Sequence, residues 1–532
     1  MLDFGSLLFR RLSPARRAPN RPTRRLNLEH LEDRIAPAAH IGANNYATIQ
    51  AAVNAATTGA VITIDPGTYA EMVTVNKSVT IEGAQQGVAG QAASRNNPAN
   101  ESIVTGSSGS TSFYITASNV TIDGFTIEDA TDPKNLGFGI FIAAGVSGTH
   151  IQDNIIQNNI VGIGLANGSG GQAVIEDNLI QNNNQPGTAS GTGIYSNQFI
   201  AGGPLQNVLI QDNVLRGNAN AGIGINSTDP TKPASNLTIS RNTFDANGRG
   251  VYLFSTSSST ISGNTIANST APTDGGSGAA IALYGDDSNL SITHNLLAGG
   301  AQFGILVGNY YNTAPDSGVV LYDNSIAGFA ADGLHLNAGS YSGALNASGN
   351  FWGAATGPTG VNNPGGGGSR IEDPNQQVVF APWLSSGANG VSGGQPGFLG
   401  NQGSLISSNP PPPPPPSPSA LLPVLQQQII HDLVLAQGFQ GDQSGAAQQL
   451  NALFALVGLQ AAPDVMALVL DEAALTAGAV LALEESAMGM QDAALLSSLD
   501  QLETGINVNP LTATLAGQQI IALTGALVVA NM

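Results

Sequence analysis

The stretch Ile151-Gln152-Asp153-Asn154-Ile155-Ile156-Gln157-Asn158-Asn159-Ile160-Val161-Gly162-Ile163-Gly164-Leu165 holds two phrases that recur through the middle of the chain. In the first, apolar residues flank a fixed Asn: Ile151 to Ile156 around Asn154, Ile175 to Ile180 around Asn178, and Leu209 to Leu215 around Asn213. Further copies centre on Asn242, Asn264, Asn295, Asn324 and Asn350, so the gaps between successive Asn residues are 24, 35, 29, 22, 31, 29 and 26. Periods of this length mark solenoids. The second phrase lies between copies of the first, as in Gly139-Ile140-Phe141-Ile142, Gly193-Ile194-Tyr195, Gly222-Ile223-Gly224-Ile225, Gly250-Val251-Tyr252-Leu253 and Gly333-Leu334-His335-Leu336. Each alternates with period two and favours aliphatic and β-branched residues, so each reads as a short strand with one face inward.

Several short strands per turn, with Gly and Asn at the corners and loops of varying length, indicate an all-β parallel β-helix with rungs about 4.8 Å apart. Ahead of the repeats, Ile49, Ala52, Val53 and Ala56 fall at helical spacing and suit a cover for the first rung. Val61 to Ile64, Pro66 to Tyr69 and Val79 to Gly83 then read as strand, turn and strand.

The run from Ile49 to Tyr69 resembles the opening of the right-handed parallel β-helix, pectate lyase-like superfamily. Asn350-Phe351-Trp352-Gly353, Gly357-Pro358 and Ala381-Pro382-Trp383-Leu384 resemble its closing segment. The resemblance implies a right-handed parallel β-helix over residues 40–384. Members of that superfamily include pectate lyases, polygalacturonases, pectin methylesterases and accessory proteins of metal-enzyme maturation, so the fold leaves the activity open.

A length of 532 residues exceeds one compact globule and fits a solenoid with appendages. Absence of Cys excludes disulfides, thiolate nucleophiles, iron-sulfur clusters and Cys-ligated zinc. The net charge is -20, yet residues 1–34 carry eight Arg against four acids, which leaves -24 on the remainder. A body that acidic repels nucleic acid and favours divalent cations. No apolar run reaches the roughly 18 residues of a membrane-spanning helix.

Residues 1–39 read as a basic targeting arm. Within it, Leu28-Glu29-His30-Leu31-Glu32-Asp33-Arg34 before Pro37-Ala38 resembles a segment near the start of certain bacterial surface proteins, which implies export to the cell surface or beyond. Residues 385–419 read as a Gly/Ser/Pro-rich linker with a polyproline II stretch at Pro410–Pro416. Leu450, Leu453, Phe454 and Val457 set a helical period, and residues 420–532 read as a small α-helical domain suited to docking a protein partner.

Two columns carry candidate chemistry. The residues just before the repeated Asn are Asp153, Asp177, Asp212, Arg241, Gly263, His294, Asp323 and Gly349. Asp153, Asp177 and Asp212 on successive rungs would repel unless a cation intervened, and calcium, which takes carboxylate oxygens, is the candidate metal. The alternative is that Asp-Asn is turn chemistry, with the carboxylates screened by water. The Asn column itself reads as structural, each amide bonding the next. In the second phrase the outward residues are Phe141, Gly164, Tyr195, Gly224, Tyr252, Ala282, Leu306 and His335. Phe141, Tyr195, Tyr252 and His335 are the candidate carbohydrate-binding residues, because aromatic faces offer flat apolar area beside polar edges; loops folded over the rings are the alternative.

A hydrolase of the polygalacturonase kind is disfavoured: Asp286-Asp287 is present, but no Gly-His-Gly or Arg-x-Lys follows. A lyase needs a metal to neutralise the uronate and a base to take the proton beside it, roles that Asp153, Asp177, Asp212 and, as catalytic residue, Arg241 outline. The leading expectation is an exported surface β-helix that binds a glycan or cell-envelope component, with calcium as a candidate ligand. The alternatives are a calcium-dependent polysaccharide lyase acting on uronate polymers and a structural or adhesive spacer.

Overall fold

The computed structural model describes residues 38–387 apart from 136, 228, 230, 311 and 312, together with 396–398, 405 and 406. In the stretch 151–165 the chain makes three strands, His150–Gln152, Ile155–Gln157 and Val161–Gly164. It turns at Asp153-Asn154 and again at Asn158-Asn159, where Asp153 and Asn158 take positive φ. Every such strand pairs in parallel with its counterpart one rung before and one rung after. Three sheets result, of fourteen, ten and twelve strands among the described residues.

Register confirms the period-two reading. In the first sheet Ile122, Ile151, Ile175, Ile210, Ile239 and Ile261 align rung on rung, all at most 2% exposed. The second and third sheets add parallel lines through Ile156 and Ile163. Each buried Ile contributes about 2 kcal/mol by leaving water. A one-residue slip would turn a whole line outward, so burial fixes the register.

The Asn column forms a continuous amide ladder. Asn154 Nδ2 donates to Asn178 Oδ1 at 3.1 Å, Asn178 to Asn213 at 2.9 Å and Asn213 to Asn242 at 3.0 Å, and the chain of bonds runs on to Asn350. Each Oδ1 also accepts the backbone N–H of the preceding Asn, so the buried corner is satisfied. A second ladder at the next corner joins Asn159, Asn183, Asn218 and Asn247; the sequence reading did not single it out. Glycine of the second phrase has a separate cause: a Cβ at Gly162 would stand 2.4 Å from the carbonyl oxygen of Gly193, and one at Gly193 2.7 Å from that of Gly222.

Both ends of the solenoid are covered. Helix Ile49–Ala55 buries Ile49, Ala52 and Val53 against the first rung, as its spacing predicts. The Thr48 hydroxyl accepts from Ala51 N, and the Glu71 carboxylate accepts from Ile49 N and Gln50 N. Pro66 to Tyr69, expected as a turn, instead supplies strand Gly67–Ala70, which opens the second sheet with Tyr69 inward. At the far end Trp352 and Trp383 are buried. The chain beyond Leu384, expected as linker, returns in part: Leu405–Ile406 pairs antiparallel with Trp383–Leu384, and Phe398 N donates to His294 O with its ring buried. The basic arm up to residue 37, the prolines 410–416 and the segment 420–532, expected to be helical, lie outside the described residues.

Candidate functional site

The outer face of the third sheet carries the aromatic column. Tyr114, Phe141, Gly164, Tyr195, Gly224, Tyr252, Ala282, Leu306 and His335 occupy one line of register, rung after rung. The glycines do not leave gaps between standing rings. A Cβ on Gly224 would fall 2.5 Å from the Tyr252 ring, and one on Gly164 2.9 Å from those of Phe138 and Phe141. The rings of Phe141 and Tyr252 lie over the glycines of the adjoining rungs, which is why Gly164 and Gly224 stand between aromatic residues.

This packing divides the candidate carbohydrate-binding residues. Phe141 and Tyr195 are half-buried, and Tyr195 Oη accepts from Asn197 Nδ2 at 3.1 Å. Tyr252 is buried, with 6% exposed, so the expectation that its ring faces solvent is corrected. The Arg249 guanidinium lies 5.5 Å from the centroids of both Tyr252 and Tyr284, and a bidentate pair with Asp274 holds it there. Burial pushes the Tyr252 phenol well above its usual range. Loop 268–278, which carries Asp274, therefore closes this part of the face.

His335, at the other end, is a polar residue of a charge cluster. Asp332 is almost fully buried; its Oδ2 lies 2.7 Å from His335 Nδ1, and its other oxygen accepts from Arg370 Nε. Arg370 Nη1 also pairs with Glu372 at 2.8 Å, while the imidazole stacks on Phe303 at 4.4 Å. Asp332 precedes the Gly333 phrase, and Arg370 lies in the closing segment outside the repeat, so spacing gave no signal that they would meet.

Sequence reading also passed over Phe199. Asn197 ends a strand and caps the one-turn helix Gln198–Ala201, accepting from Phe199 N and Ile200 N. Ile200 packs inward on the group around Phe138 and Val161, and Phe199 is left 81% exposed. It lies in an insertion between repeats, where periodicity says nothing.

The acidic row lies on a different face, at the corner between the first and second sheets. Asp153, Asp177, Asp212, Arg241, His294 and Asp323 all take positive φ, as do Gly263 and Gly349. Asp and His tolerate that conformation better than most residues, which accounts for much of their recurrence. Asp153 is pushed up to about 7 by burial and then by the carboxylates of Asp123 and Asp177. Asp177 is raised by burial and by Asp212. Arg241 closes the row: its Nε and Nη2 bond the Asp212 carboxylate at 2.9 and 2.6 Å, and Nη2 also bonds Gln211. The candidate lyase base is thus held by the last carboxylate of the candidate metal trio. Among the described residues no three His, Asp or Glu side chains converge as a metal-binding group.

A three-faced parallel solenoid with amide ladders at two corners defines the class of protein. The chain belongs to the right-handed β-helix family, whose profile, described as "Right handed beta helix region", matches residues 58–236 and 206–350. No curated relative matches the sequence. Among solved structures the chain is similar to the Dettilon tailspike protein (gp208), at 15% identity and a TM-score of 0.38 over 59% of this chain and 62% of that one. It thus covers less than two thirds of the tailspike. Similar too are the Azotobacter vinelandii mannuronan C-5 epimerase AlgE6 A-module, at 14% identity, TM-score 0.35, 64% and 95% coverage, and pectate lyase Pel9A, at 12%, 0.32, 64% and 73%. At these identities the likeness is one of fold. No helix among the described residues is long and apolar enough to cross a membrane.

Proposed function

We propose that this chain is an exported surface protein that binds a glycan along the outer face of its third sheet. One observation carries the reading: Phe141 and Tyr195 share a line of register two rungs apart, about 9.6 Å, and Phe199 stands exposed beside them. Half-covered rings edged by Asn197 offer apolar area and hydrogen-bonding groups together, the combination a sugar ring requires. Export rests on the segment Leu28 to Arg34. Calcium enters the proposal along the row of Asp153, Asp177 and Asp212 through the repulsion felt by Asp153 and Asp177, although the three carboxylates do not converge and Asp212 is already paired with Arg241.

A calcium-dependent lyase acting on uronate polymers is the second reading. It draws on the same acidic row, and the engagement of Arg241 by Asp212 and Gln211 weighs against it. The test is binding of the full-length chain to a glycan panel with calcium or chelator, run beside an assay for unsaturated products. Retention of one glycan class by wild type, lost in Tyr195→Ala and Phe199→Ala, supports the binding reading. Calcium-dependent product that disappears in Arg241→Ala establishes the lyase instead. Neither retention nor product would leave the chain as a spacer.

A further inference from the structure

At the third corner, where the chain passes from the third sheet back to the first, Asp287 and Asp316 stand on adjacent rungs, both 0% exposed. Their contacts copy half of an amide ladder. Thr256 N donates to Asp287 Oδ1 at 2.7 Å, and Asp287 N donates to Asp316 Oδ1 at 2.9 Å, as the Asn backbones do elsewhere. The other half differs, because an Asn would present Nδ2 as a donor where these residues present a second oxygen. Asp287 Oδ2 accepts from Tyr284 N at 3.3 Å, and Asp316 Oδ2 has no partner.

Two ionised carboxylates cannot share such a site without a cation or a proton. We propose that Asp287 and Asp316 share a proton at neutral pH, so that a carboxylic acid O–H takes the place of the ladder amide, and that loss of this proton loosens the contacts that Tyr310 and Ala314 make with the turn at 284–286. The groups facing the pair add negative or neutral character: Asp286, part-exposed in the same turn, and Tyr341, whose hydroxyl bonds Val319. Burial is the main cause that raises both carboxyls far above the carboxylate range; the charge of Asp286 adds to both, and that of Asp287 adds to Asp316.

Two short stretches couple the pair to the outer face. Residues 308–310 follow the strand that ends at Val307 and carry Tyr310, and residues 313–315 lead into Asp316. Tyr310 packs edge-on against Tyr284 at 4.7 Å, and Tyr284 lies three residues before Asp287. Ala314 N meanwhile donates to Asp286 Oδ1, which ties the second stretch to the same turn. Both contacts end in the turn that Asp287 Oδ2 holds through Tyr284 N, so they are the ones that ionising the pair would disturb.

Infrared spectroscopy of the full-length protein tests the shared proton directly. A buried protonated carboxyl band at neutral pH, fading as pH rises toward 10 and removed in Asp287→Asn/Asp316→Asn, is the expected result. Near-ultraviolet circular dichroism should lose tyrosine signal over the same pH interval in wild type and keep it in the double variant. If the double variant does not fold, Asp316→Asn alone takes its place, and Asp153→Asn removes the contribution of the other raised carboxyl. No protonated band at pH 7, or a band unchanged by the double substitution, overturns the proposal.

Discussion

Asn178 and Asn213 are 35 residues apart in sequence, yet the Nδ2 of the first lies 2.9 Å from the Oδ1 of the second, and both side chains are fully buried. The intervening loop can be of any length, because the ladder reads only the corner. That is why the gaps between corner residues range from 22 to 35 while the bond lengths stay between 2.9 and 3.1 Å.

Asn213→Ala removes an acceptor shared by the backbone N–H and the Nδ2 of Asn178, and a donor to Asn242. An orphaned buried polar group costs about 1–3 kcal/mol. The expected loss is about 3 kcal/mol in denaturant unfolding, and a loss below about 1 kcal/mol would show that the ladder is incidental.

Gly193→Ala places a methyl 2.7 Å from the Gly222 carbonyl oxygen. Rungs cannot separate without breaking the sheet bonds on every face, so about 1–3 kcal/mol of overpacking is expected. Ala280 holds the equivalent place three copies later; Ala280→Gly should change stability by about 1 kcal/mol or less, and thermal melting of the two variants measures the contrast.

Tyr252→Ala should act on stability rather than on binding. Its ring is buried beneath Arg249, so a loss of about 3–5 kcal/mol is expected, as for other large-to-small core changes. Phe199→Ala should show the opposite pattern: unchanged melting, since the ring is 81% exposed, and weakened retention on the glycan column. Equal binding defects in both would place the ligand elsewhere.

Asp153 governs a pH dependence of known sign. In the unfolded chain its carboxyl loses a proton near the ordinary 3.8, whereas in the folded state it keeps the proton to about 7. The folded state binds more protons across that window, so stability falls as pH rises from about 4 to 7 and levels off above it. Asp153→Asn should flatten the curve of melting temperature against pH. Added calcium should raise the wild-type melting point above pH 7 and leave that of the variant unmoved; no response in wild type would remove calcium from the functional proposal.

The salt link from Arg241 to Asp212 is surface-exposed, at 47% and 26% of the two side chains. Arg241→Ala should therefore shift stability by less than about 1 kcal/mol. A near-silent effect on melting makes it a clean probe for the lyase assay.

Much of the fold was legible in the primary structure because a solenoid repeats its corners. Ile151, Asn154 and Gly162 state in one rung what Ile175, Asn178 and Gly193 state in the next, and period-two alternation says which face is inward. The strand order, the Asn ladder and even the register of the column from Phe141 to His335 follow from that local repetition. Tertiary structure alone decided what stands on the outer faces. Loop 268–278 sets Asp274 on Arg249 and closes over Tyr252, the insertion after Asn197 exposes Phe199, and the closing segment brings Arg370 to Asp332. Asp274, Phe199 and Arg370 lie outside the repeated phrases, and the contacts of Asp274 and Arg370 join positions 25 and 38 residues apart that are not equivalent on neighbouring rungs. Spacing encodes contacts between equivalent positions on neighbouring rungs; the meeting of a loop with a face depends on the packed volume of both, which no periodicity records.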